Sequence, residues 1–332
     1  MKKFLAGLLV LCCLVSAVPA FAEVFIRVDR DDPEAWKNDL ANVRFLTEEH
    51  MSGSAQFSAE QFHTLAEKLR EQSREVWIVD CRMESHGLIN GIAVSWCGED
   101  NGANLGRTVE EIEAEEEGLS ALIGTNVTAY TAENDQPAES MELSVETWET
   151  ERKLAQGEGF GYLRLACPDH CWPPADVIDA FLSFVSGLDG DAWLHIHCQA
   201  GSGRTGAFMT IFEMMQKPGT PVEEILQHQA DTGSGNLLDR AKPEKSSAQK
   251  ERCVLARAVY LYIQGNHASG YALKWSSWFE AHSRTVTMKP GDRLEGTCFS
   301  SDPLVVSDSL EALSAGSATV LMGDEVLFIT VE

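Results

Sequence analysis

Three short apolar runs that alternate with helical patterns restrict the folds open to this chain. The runs cover residues 75–80, 161–165 and 192–197. Helical patterns cover residues 59–70, 175–187, 206–216 and 248–264. Short apolar runs between helices are typical of strands buried on both faces of a sheet. We therefore predict an α/β fold in which a largely parallel sheet is flanked by helices.

Two segments fall outside this alternation. Residues 99–155 are rich in Glu and poor in large apolar residues, with a strand predicted at 126–131. We interpret this segment as an insertion that forms a small β-rich subdomain, and its acidic cluster at 110–117 as a solvated helix face. Short β-like runs at 305–306, 318–322 and 326–331 follow the turn at 288–291. They predict a main domain over 23–288 and a β-rich C-terminal extension over 289–332, whose role the sequence does not indicate.

The first 22 residues have the pattern of a secretory signal peptide. Lys2 and Lys3 precede an apolar run over 5–18, and residues 20–22 form an A-x-A cleavage site before Glu23. A membrane anchor is one alternative, but the run is short for a bilayer span. A lipoprotein signal is another, because cysteines lie within the apolar run. We expect cleavage near Ala22 and a mature chain that is periplasmic or secreted and not held in a membrane.

The charge of the chain limits its partners. The formal net charge is −25, with 51 acidic and 26 basic residues. The electrostatic field of a chain with this negative charge repels phosphate groups. Neither nucleic acid nor an anionic membrane is therefore expected as a general partner. An anionic substrate must therefore meet a local basic patch. The sequence does not indicate the oligomeric state.

The sequence HCQAGSGRT at residues 197–205 predicts such a patch, because it follows a predicted strand and precedes a helix. Backbone amides can curl around an anion there, at the positive end of the helix. These amides belong to Gln199, Ala200, Gly201, Ser202, Gly203 and Arg204. The two glycines permit the backbone angles and the close approach that such a loop requires. The Arg204 guanidinium can bind two phosphate oxygens at once.

Cys198 lies at the centre of this predicted loop. We expect it to be a thiolate, which is a strong nucleophile, and Thr205 to donate a hydrogen bond to its sulfur. A buried structural cysteine beside a glycine turn is the alternative. A thiolate that attacks phosphorus needs a partner to protonate the departing oxygen. Asp169, in a turn-rich loop directly after the strand at 161–165, is the candidate, although it could also be a turn residue or a helix cap.

Cysteine and histidine spacing bears on disulfides and metals. Seven cysteines follow the predicted signal peptide. An odd number in an oxidising compartment leaves at least one free thiol, which we expect to be Cys198, with the other six partly or wholly paired. Structural zinc is the competing interpretation, since Cys167 and Cys171 are four positions apart. No second Cys/His pair with zinc-finger spacing follows, so we expect no metal.

The loop sequence, a Cys followed by five residues and an Arg, resembles the cysteine-phosphatase signature. Other stretches make the chain similar to the bacterial cysteine phytases, the protein-tyrosine-phosphatase-like inositol polyphosphatases. They are GSAQFS at 53–58, DCRMESHG at 80–87 with NG at 90–91, the segment 96–106, and RLACPDH at 164–170. The resemblance runs from about residue 44 to about residue 282. It leaves the last fifty residues outside.

The resemblance implies a role for each matching residue. Cys198 would be the nucleophile, Arg204 the phosphate clamp and Asp169 the general acid. His170 would contact substrate, and His197 would form hydrogen bonds within the loop and orient it. Arg44, Arg82, Arg164 and Lys274 would gather near the substrate. For Arg44 and Arg82 a structural ion pair is the alternative, and for Lys274 a plain surface position.

The implied activity is hydrolysis of myo-inositol hexakisphosphate (phytate) and lower inositol polyphosphates through a cysteinyl phosphate, without a metal or other cofactor. The nearest alternative is a phosphatase for phosphotyrosine or phosphoinositide that uses the same loop. A non-catalytic polyphosphate-binding module is the alternative from another class. An acidic surface with one basic pocket would suit a substrate that carries many phosphates.

Overall fold

A computed structural model describes residues 24–28, 39–98, 101–133 and 136–332, so the predicted signal peptide lies outside the described residues. The central sheet has the strand order β10-β4-β11-β3-β2. Its strands are β2 Arg44–Leu46, β3 Met51–Ser54, β4 Val76–Arg82, β10 Gly161–Cys167 and β11 Trp193–His197. All neighbours are parallel except β2 and β3. This is the mixed α/β architecture that the sequence predicts.

Helices cover both faces of the central sheet. They are α1 Ala59–Gln72, α2 Val109–Gly118, α3 Glu151–Gly157, α4 Ala175–Ser186, α5 Gly203–Gln216, α6 Val222–Asp231, α7 Ser247–Asn266 and α8 Trp275–His282. Side chains alternate along a strand, so Trp193 packs in a core with α1 and α3, whereas Leu194 packs in the larger core with α4, α5 and α7. Helix α5 is buried on all sides between the sheet and its neighbours, which fixes the loop before it.

A second, mostly antiparallel sheet has the order β8-β7-β1-β6-β5-β9. Its strands are β1 Phe25–Val28, β5 His86–Ile89, β6 Ile92–Cys97, β7 Asn126–Glu133, β8 Gln136–Ser144 and β9 Trp148–Glu149. Strands β1, β5 and β6 lie outside the predicted insertion at 99–155, so the sheet is wider than that segment. The sheet extends beyond that segment because β5 and β6 form a hairpin within it. The turn residues Asn90 and Gly91 have φ of 53° and 80°, as two-residue hairpin turns require.

The C-terminal residues form a third sheet, in the order β12-β15-β14-β13. Its strands are β12 Ser283–Met288, β13 Phe299–Ser300, β14 Gly316–Met322 and β15 Glu325–Val331. The sheet begins at Ser283, before the boundary predicted at 289, because β12 pairs in parallel with β15 along its whole length. Within the described part of the chain, no helix has both the length and the apolar character that a membrane crossing needs.

The acidic cluster at 110–117 forms most of α2, as predicted, but its face is not wholly solvated. Glu116 is 4% exposed. Its Oε1 lies 3.2 Å from Nη1 of Arg164 and accepts a hydrogen bond from the backbone N–H of His86 at 2.9 Å. The prediction of a solvated face is therefore wrong at this position, because a buried guanidinium supplies the partner that makes burial of a carboxylate tolerable.

Candidate active site

The loop at 198–202 connects β11 to α5. Its carbonyl groups are bound from outside the loop. The Gln199 carbonyl accepts from the Gln56 amide (3.0 Å), that of Ala200 from Asn42 Nδ2 (2.6 Å), and that of Gly201 from Arg44 Nη1 (2.8 Å). In a planar trans peptide the N–H points away from the carbonyl. The amides that follow these carbonyls therefore point to the opposite side, which is the arrangement that an anion-binding loop needs.

Gly201 is required at its position for two reasons. Its φ is 74°, in the left-handed region. A Cβ there would also lie 2.4 Å from the backbone nitrogen of Ala55 and from the carbonyl carbon of Ser54. The sequence predicts the same need for glycine at Gly203, but the structure differs there. Gly203 is the first residue of α5, and the atom nearest to an added Cβ would belong to Arg252, at 3.7 Å. Only the first of the two loop glycines is therefore needed for its backbone.

Cys198 is 2% exposed at the end of β11. Five described cysteines are free thiols: Cys198, as expected, and four that the sequence predicts to be partly or wholly paired, namely Cys81, Cys167, Cys253 and Cys298. Three of them, Cys81, Cys167 and Cys198, belong to the same buried core cluster. Burial in apolar surroundings raises the pKa of Cys81 and of Cys167, so both favour the protonated thiol.

The Arg204 guanidinium is held in place by Glu84. Nη1 lies 2.7 Å from Oε2 and Nη2 lies 2.9 Å from Oε1, so the pair is bidentate and buried. Burial raises the pKa of Glu84, but Arg204 and Arg82 outweigh it and hold the pKa well below its usual range. Nε of Arg204 is buried without a hydrogen-bond partner among the described residues. This donor is available to an anion in the loop.

Asp169 lies against the same guanidinium, with Oδ2 3.2 Å from Nη2 of Arg204. Asn101 Nδ2 donates to Oδ2 at 2.8 Å. Burial raises the pKa of Asp169, but Arg204 has the opposite and, with His170 and Asn101, the larger effect, so the pKa is lowered. The structure therefore brings the predicted acid to the predicted clamp, in a state that favours the carboxylate. His170 follows it with φ of 60° and an exposed side chain.

Two predicted hydrogen bonds of the loop are not formed. Oγ1 of Thr205 is buried and has no partner within the described part of the chain, so it does not donate to the cysteine sulfur. His197 does not bind within the loop: its Nε2 lies 2.6 Å from Oε1 of Glu151, at the start of α3. The side chain points to the α1 and α3 side of the sheet because β11 continues its alternation up to His197.

Two arginines predicted near the substrate are buried in ion pairs instead. Arg82 is fully buried, with Nε 2.8 Å from Oε1 of Glu84 and Nη1 2.8 Å from Oε1 of Gln56. Arg164 Nη1 lies 2.8 Å from Oδ2 of Asp80. Both side chains point into the space between the central and second sheets, where carboxylates neutralise them. Arg82 supports the carboxylate that holds Arg204 and does not face an open pocket.

Arg44 supports the loop, and Lys274 has the plain surface position that the sequence leaves open for it. Arg44 Nη1 bonds to the carbonyl of Gly201, so this arginine braces the loop from behind. Burial lowers its pKa to about 10, while the nearby Cys198 opposes that shift. Lys274 is exposed directly before α8. It lines a surface pocket of about 340 Å³ whose other described lining residues come from α4, the end of α7 and residues 270–272.

Arg252 on α7 is a residue of the site that the sequence did not single out. Its Nη2 donates to the Gly203 carbonyl at 2.9 Å. Its Nε is buried and, among the described residues, has no hydrogen-bond partner. Burial lowers the pKa of Arg252, although the charges of Asp169 and Cys198 oppose the shift. A second guanidinium therefore lies beside the loop, and no spacing in the sequence could reveal it, since α7 folds back from elsewhere in the chain.

Two groups of described side chains have the geometry to hold a metal ion: Asp80, Glu151 and His197, and Glu49, Glu213 and His228. Protein cations already neutralise both. The first group is joined by His86, whose pKa is raised to about 10 because Asp80 outweighs the opposing effects of burial and of nearby arginines. The second is joined by Lys217, which contacts both of its glutamates. The expectation of a metal-free protein stays a prediction.

Comparison with known proteins finds similarity to phosphatases of inositol phosphates. The family model of protein-tyrosine-phosphatase-like phytases, described as "Inositol hexakisphosphate", matches residues 79–216. A protein-tyrosine-phosphatase-like phytase from Bdellovibrio bacteriovorus is 28% identical, with a TM-score of 0.65, and the match covers 79% of this chain and 97% of that one. The chain is therefore similar to the protein-tyrosine-phosphatase-like phytases in both sequence and structure. The resemblance found in the sequence is thereby confirmed.

Two further proteins that the chain resembles are larger. The protein-tyrosine-phosphatase-like myo-inositol phosphatase from Mitsuokella multacida, solved with myo-inositol-(1,3,4,5)-tetrakisphosphate, is 30% identical with a TM-score of 0.72. That match covers 80% of this chain and 50% of that chain. The effector protein hopD2 of Pseudomonas syringae pv. tomato is 26% identical over 221 residues, which are 60% of this chain and 45% of hopD2. This chain thus spans about half the length of these two relatives.

Proposed function

We propose that this protein hydrolyses phosphomonoesters of phytate and of lower inositol polyphosphates through a cysteinyl-phosphate intermediate. The observation that carries the proposal is the approach of Arg204 to Asp169, 3.2 Å apart, beside the loop that begins with Cys198. A nucleophile, a phosphate clamp and a proton donor are the three groups that such a transfer needs. The match to the phytase family model and the inositol tetrakisphosphate bound to the Mitsuokella relative support the substrate class.

In the first step the Cys198 thiolate attacks phosphorus in line. The S–P bond forms, the bond from phosphorus to the inositol oxygen breaks, and Asp169 gives its proton to that oxygen. The loop amides and Arg204 hold the charge on the transferring phosphoryl group. A bound phosphate adds negative charge beside Asp169 and competes for Arg204. Both effects raise the pKa of Asp169 towards the protonated form that the step requires.

In the second step water attacks the cysteinyl phosphate. Asp169, now a carboxylate, takes a proton from the water, the S–P bond breaks, and inorganic phosphate leaves with Cys198 again a thiolate. We propose that neither step uses a metal, since the loop amides and guanidinium already supply positive charge. His170 and Arg252 border the same site. We propose that they contact other phosphates of the substrate, and that Arg44 and Arg82 support the loop and the clamp.

The substitution Cys198→Ser tests the covalent step. We expect no measurable phosphate release from phytate, while calorimetric titration still detects phytate binding, because the loop and Arg204 remain. Substantial residual turnover would contradict a cysteinyl phosphate. Chelator treatment of the wild type should leave the rate unchanged. Inhibition by chelator that a divalent metal reverses would overturn the metal-free mechanism.

Two measurements separate the rival functions. The ratio of kcat/KM for phytate to that for a phosphotyrosyl peptide should strongly favour phytate. The opposite ratio, or a preference for a phosphoinositide, would identify the alternative phosphatase. Phytate binding without any phosphate release by the wild type would indicate a polyphosphate-binding module. Timed separation of the inositol phosphate products would then identify which phosphate leaves first.

We also propose that the protein is exported. The basic start, apolar run and A-x-A site within residues 1–22 support this. Sequencing the N-terminus of the protein from the periplasm or medium should find a chain that starts near Glu23. Recovery of the uncleaved chain from the cytoplasm would contradict export.

A further inference from the structure

The first turns of α7 connect the loop to the C-terminal unit, which we define as residues 283–332. Three consecutive residues of this helix point to different partners. Arg252 donates to the Gly203 carbonyl at the start of α5, at 2.9 Å. Lys250 and Glu251, which precede it, contact the C-terminal unit. The proposed function gives the C-terminal unit no role. These contacts link the unit to the helix that carries Arg252.

Both contacts with the C-terminal unit are sheltered from solvent. Lys250 Nζ lies 2.7 Å from Oδ2 of Asp302, and the two side chains are 14% and 11% exposed. Oγ1 of Thr319, on β14, donates to Oε2 of Glu251 at 3.3 Å. Ion pairs that are largely buried hold geometry better than exposed ones, because salt and water screen them less. The unit therefore holds the α7 backbone at the two positions directly before Arg252.

The C-terminal unit is itself fixed to the main domain elsewhere. Val326 of β15 belongs to the same buried cluster as α4, α5 and α7. Phe328 packs edge to face on Phe279 of α8, with ring centroids 6.1 Å apart. Asp308 forms a bidentate pair with Arg240, at 2.7 Å and 2.8 Å. The contacts to Lys250 and Glu251 are thus made from a fixed body, which can restrain the helix.

The beginning of a helix needs such a restraint. Its first amides have no partner within the helix, and its first turns open most easily. Helix α7 begins at Ser247 with a capping box between Ser246 and Gln249, which closes only the first turn. Arg252 lies just beyond that turn. The direction of its guanidinium therefore depends on how firmly the residues at 250 and 251 are held.

We propose that the C-terminal unit is a positioning element of the active site: Asp302 and Thr319 hold the start of α7 so that Arg252 faces the loop and binds a second phosphate of a polyphosphate substrate. This rests on the proposed function. Asp302 and Thr319 are positioning residues, since they act through α7 and not on the substrate. The unit thereby contributes to selection of substrates with several phosphates over simple monoesters.

The test is the double variant D302N/T319V, which removes both contacts and keeps the size of each side chain. We expect KM for phytate to rise on the order of 10-fold, as the loss of one charge-assisted contact predicts, with kcat changed less than about twofold. KM for p-nitrophenyl phosphate, which has one phosphate, should change less than about twofold. The variant R252A should likewise raise KM for phytate on the order of 10-fold. Hydrogen exchange of the amides at 250–253 should accelerate in the double variant.

The matched control is D308N, which breaks a contact of the same unit that does not involve the start of α7. It should keep the wild-type KM and the wild-type exchange at 250–253. The proposal is overturned if the double variant keeps the wild-type KM for phytate, or if its KM rises equally for phytate and p-nitrophenyl phosphate. It is also overturned if D308N raises KM for phytate as the double variant does. A wild type that does not hydrolyse phytate contradicts the proposed function instead. In that case unchanged exchange at 250–253 in the double variant would still contradict the positioning role.

Discussion

Glu84 holds both terminal nitrogens of the Arg204 guanidinium, at 2.7 Å and 2.9 Å, in a pair that solvent does not reach. Arg82 donates to the same carboxylate at 2.8 Å. One glutamate thus fixes the phosphate clamp before any phosphate arrives, and two buried guanidiniums share its negative charge. The clamp does not have to be ordered when substrate binds, which reduces the entropic penalty of binding.

The substitution Glu84→Gln tests this arrangement. It removes the buried carboxylate that Arg82 and Arg204 share, so we expect the free energy of unfolding to fall by about 3–5 kcal/mol. Urea denaturation followed by circular dichroism measures the change. Glu67→Gln, on the exposed face of α1, is the control and should change it by less than about 0.5 kcal/mol. Equal stability of the two variants would show that Glu84 does not carry the balancing charge.

The substitution Asp169→Asn removes the proposed acid and keeps its shape. The rate on phytate should fall on the order of 10²–10⁴-fold, because the inositol oxygen must then leave without a proton. The loss should be smaller for p-nitrophenyl phosphate, whose leaving group needs no proton. Initial rates of phosphate and nitrophenol release measure both. If Asp169→Asn kept the phytate rate, the acid would have to be sought elsewhere, with His170 as the next candidate.

The substitution Asn101→Asp tests what lowers the pKa of Asp169. In the wild type the Asn101 amide donates to the carboxylate and favours its ionised form. An aspartate at this position removes that donor and adds negative charge, so the pKa of Asp169 should rise. Because the protonated form is the active one, the alkaline limb of the kcat profile should move to higher pH. The profile of Asn101→Asp in the Asp169→Asn background should not move, and a shift there would exclude Asp169 as its cause.

Glu251 should make stability depend on pH. Burial raises its pKa to about 7, although the hydrogen bond from Thr319 opposes the shift. A raised carboxyl pKa means that the folded state favours the protonated form. Its contribution is therefore complete below the ordinary pKa of 4.5 and is lost as pH rises towards 7. Glu251→Gln should match the wild type in Tm near pH 4 and exceed it at pH 8. A constant difference in Tm across this range would contradict the assignment.

The sequence predicts the parts of the fold that depend on local pattern. Strands β4, β10 and β11 are rich in apolar residues because parallel strands are covered on both faces, and α4, α5 and α7 separate or follow them. The hairpin of β5 and β6 was not predicted, although its Asn90-Gly91 turn is a known hairpin signal. Both residues were assigned to a family motif, and β5 has no polar alternation, because it is buried along its whole length.

The site was predictable where its groups lie within one loop, and not where they come from distant elements. Cys198 and the anion-binding amides follow from nine consecutive residues. A sequence does not distinguish an arginine that faces solvent from one paired inside the protein, so it leaves a pocket position and an ion pair both open for Arg82, and it does not reveal that Arg164 is paired with Asp80. Arg252 and Glu84 reach the site only through tertiary packing. Their roles depend on partners more than forty residues away, which no local spacing encodes.

The crowded backbone around Gly201 has a consequence for evolution and for protein engineering. A Cβ there would lie 2.4 Å from main-chain atoms of two neighbouring residues, and main chain cannot move aside as a side chain can. At Gly203 the nearest atom is 3.7 Å away, on a flexible arginine. If both codons are randomised and active clones are selected, the first should return glycine alone, while the second should admit alanine and serine. The two glycines of one short motif thus differ in how much genetic variation each can tolerate.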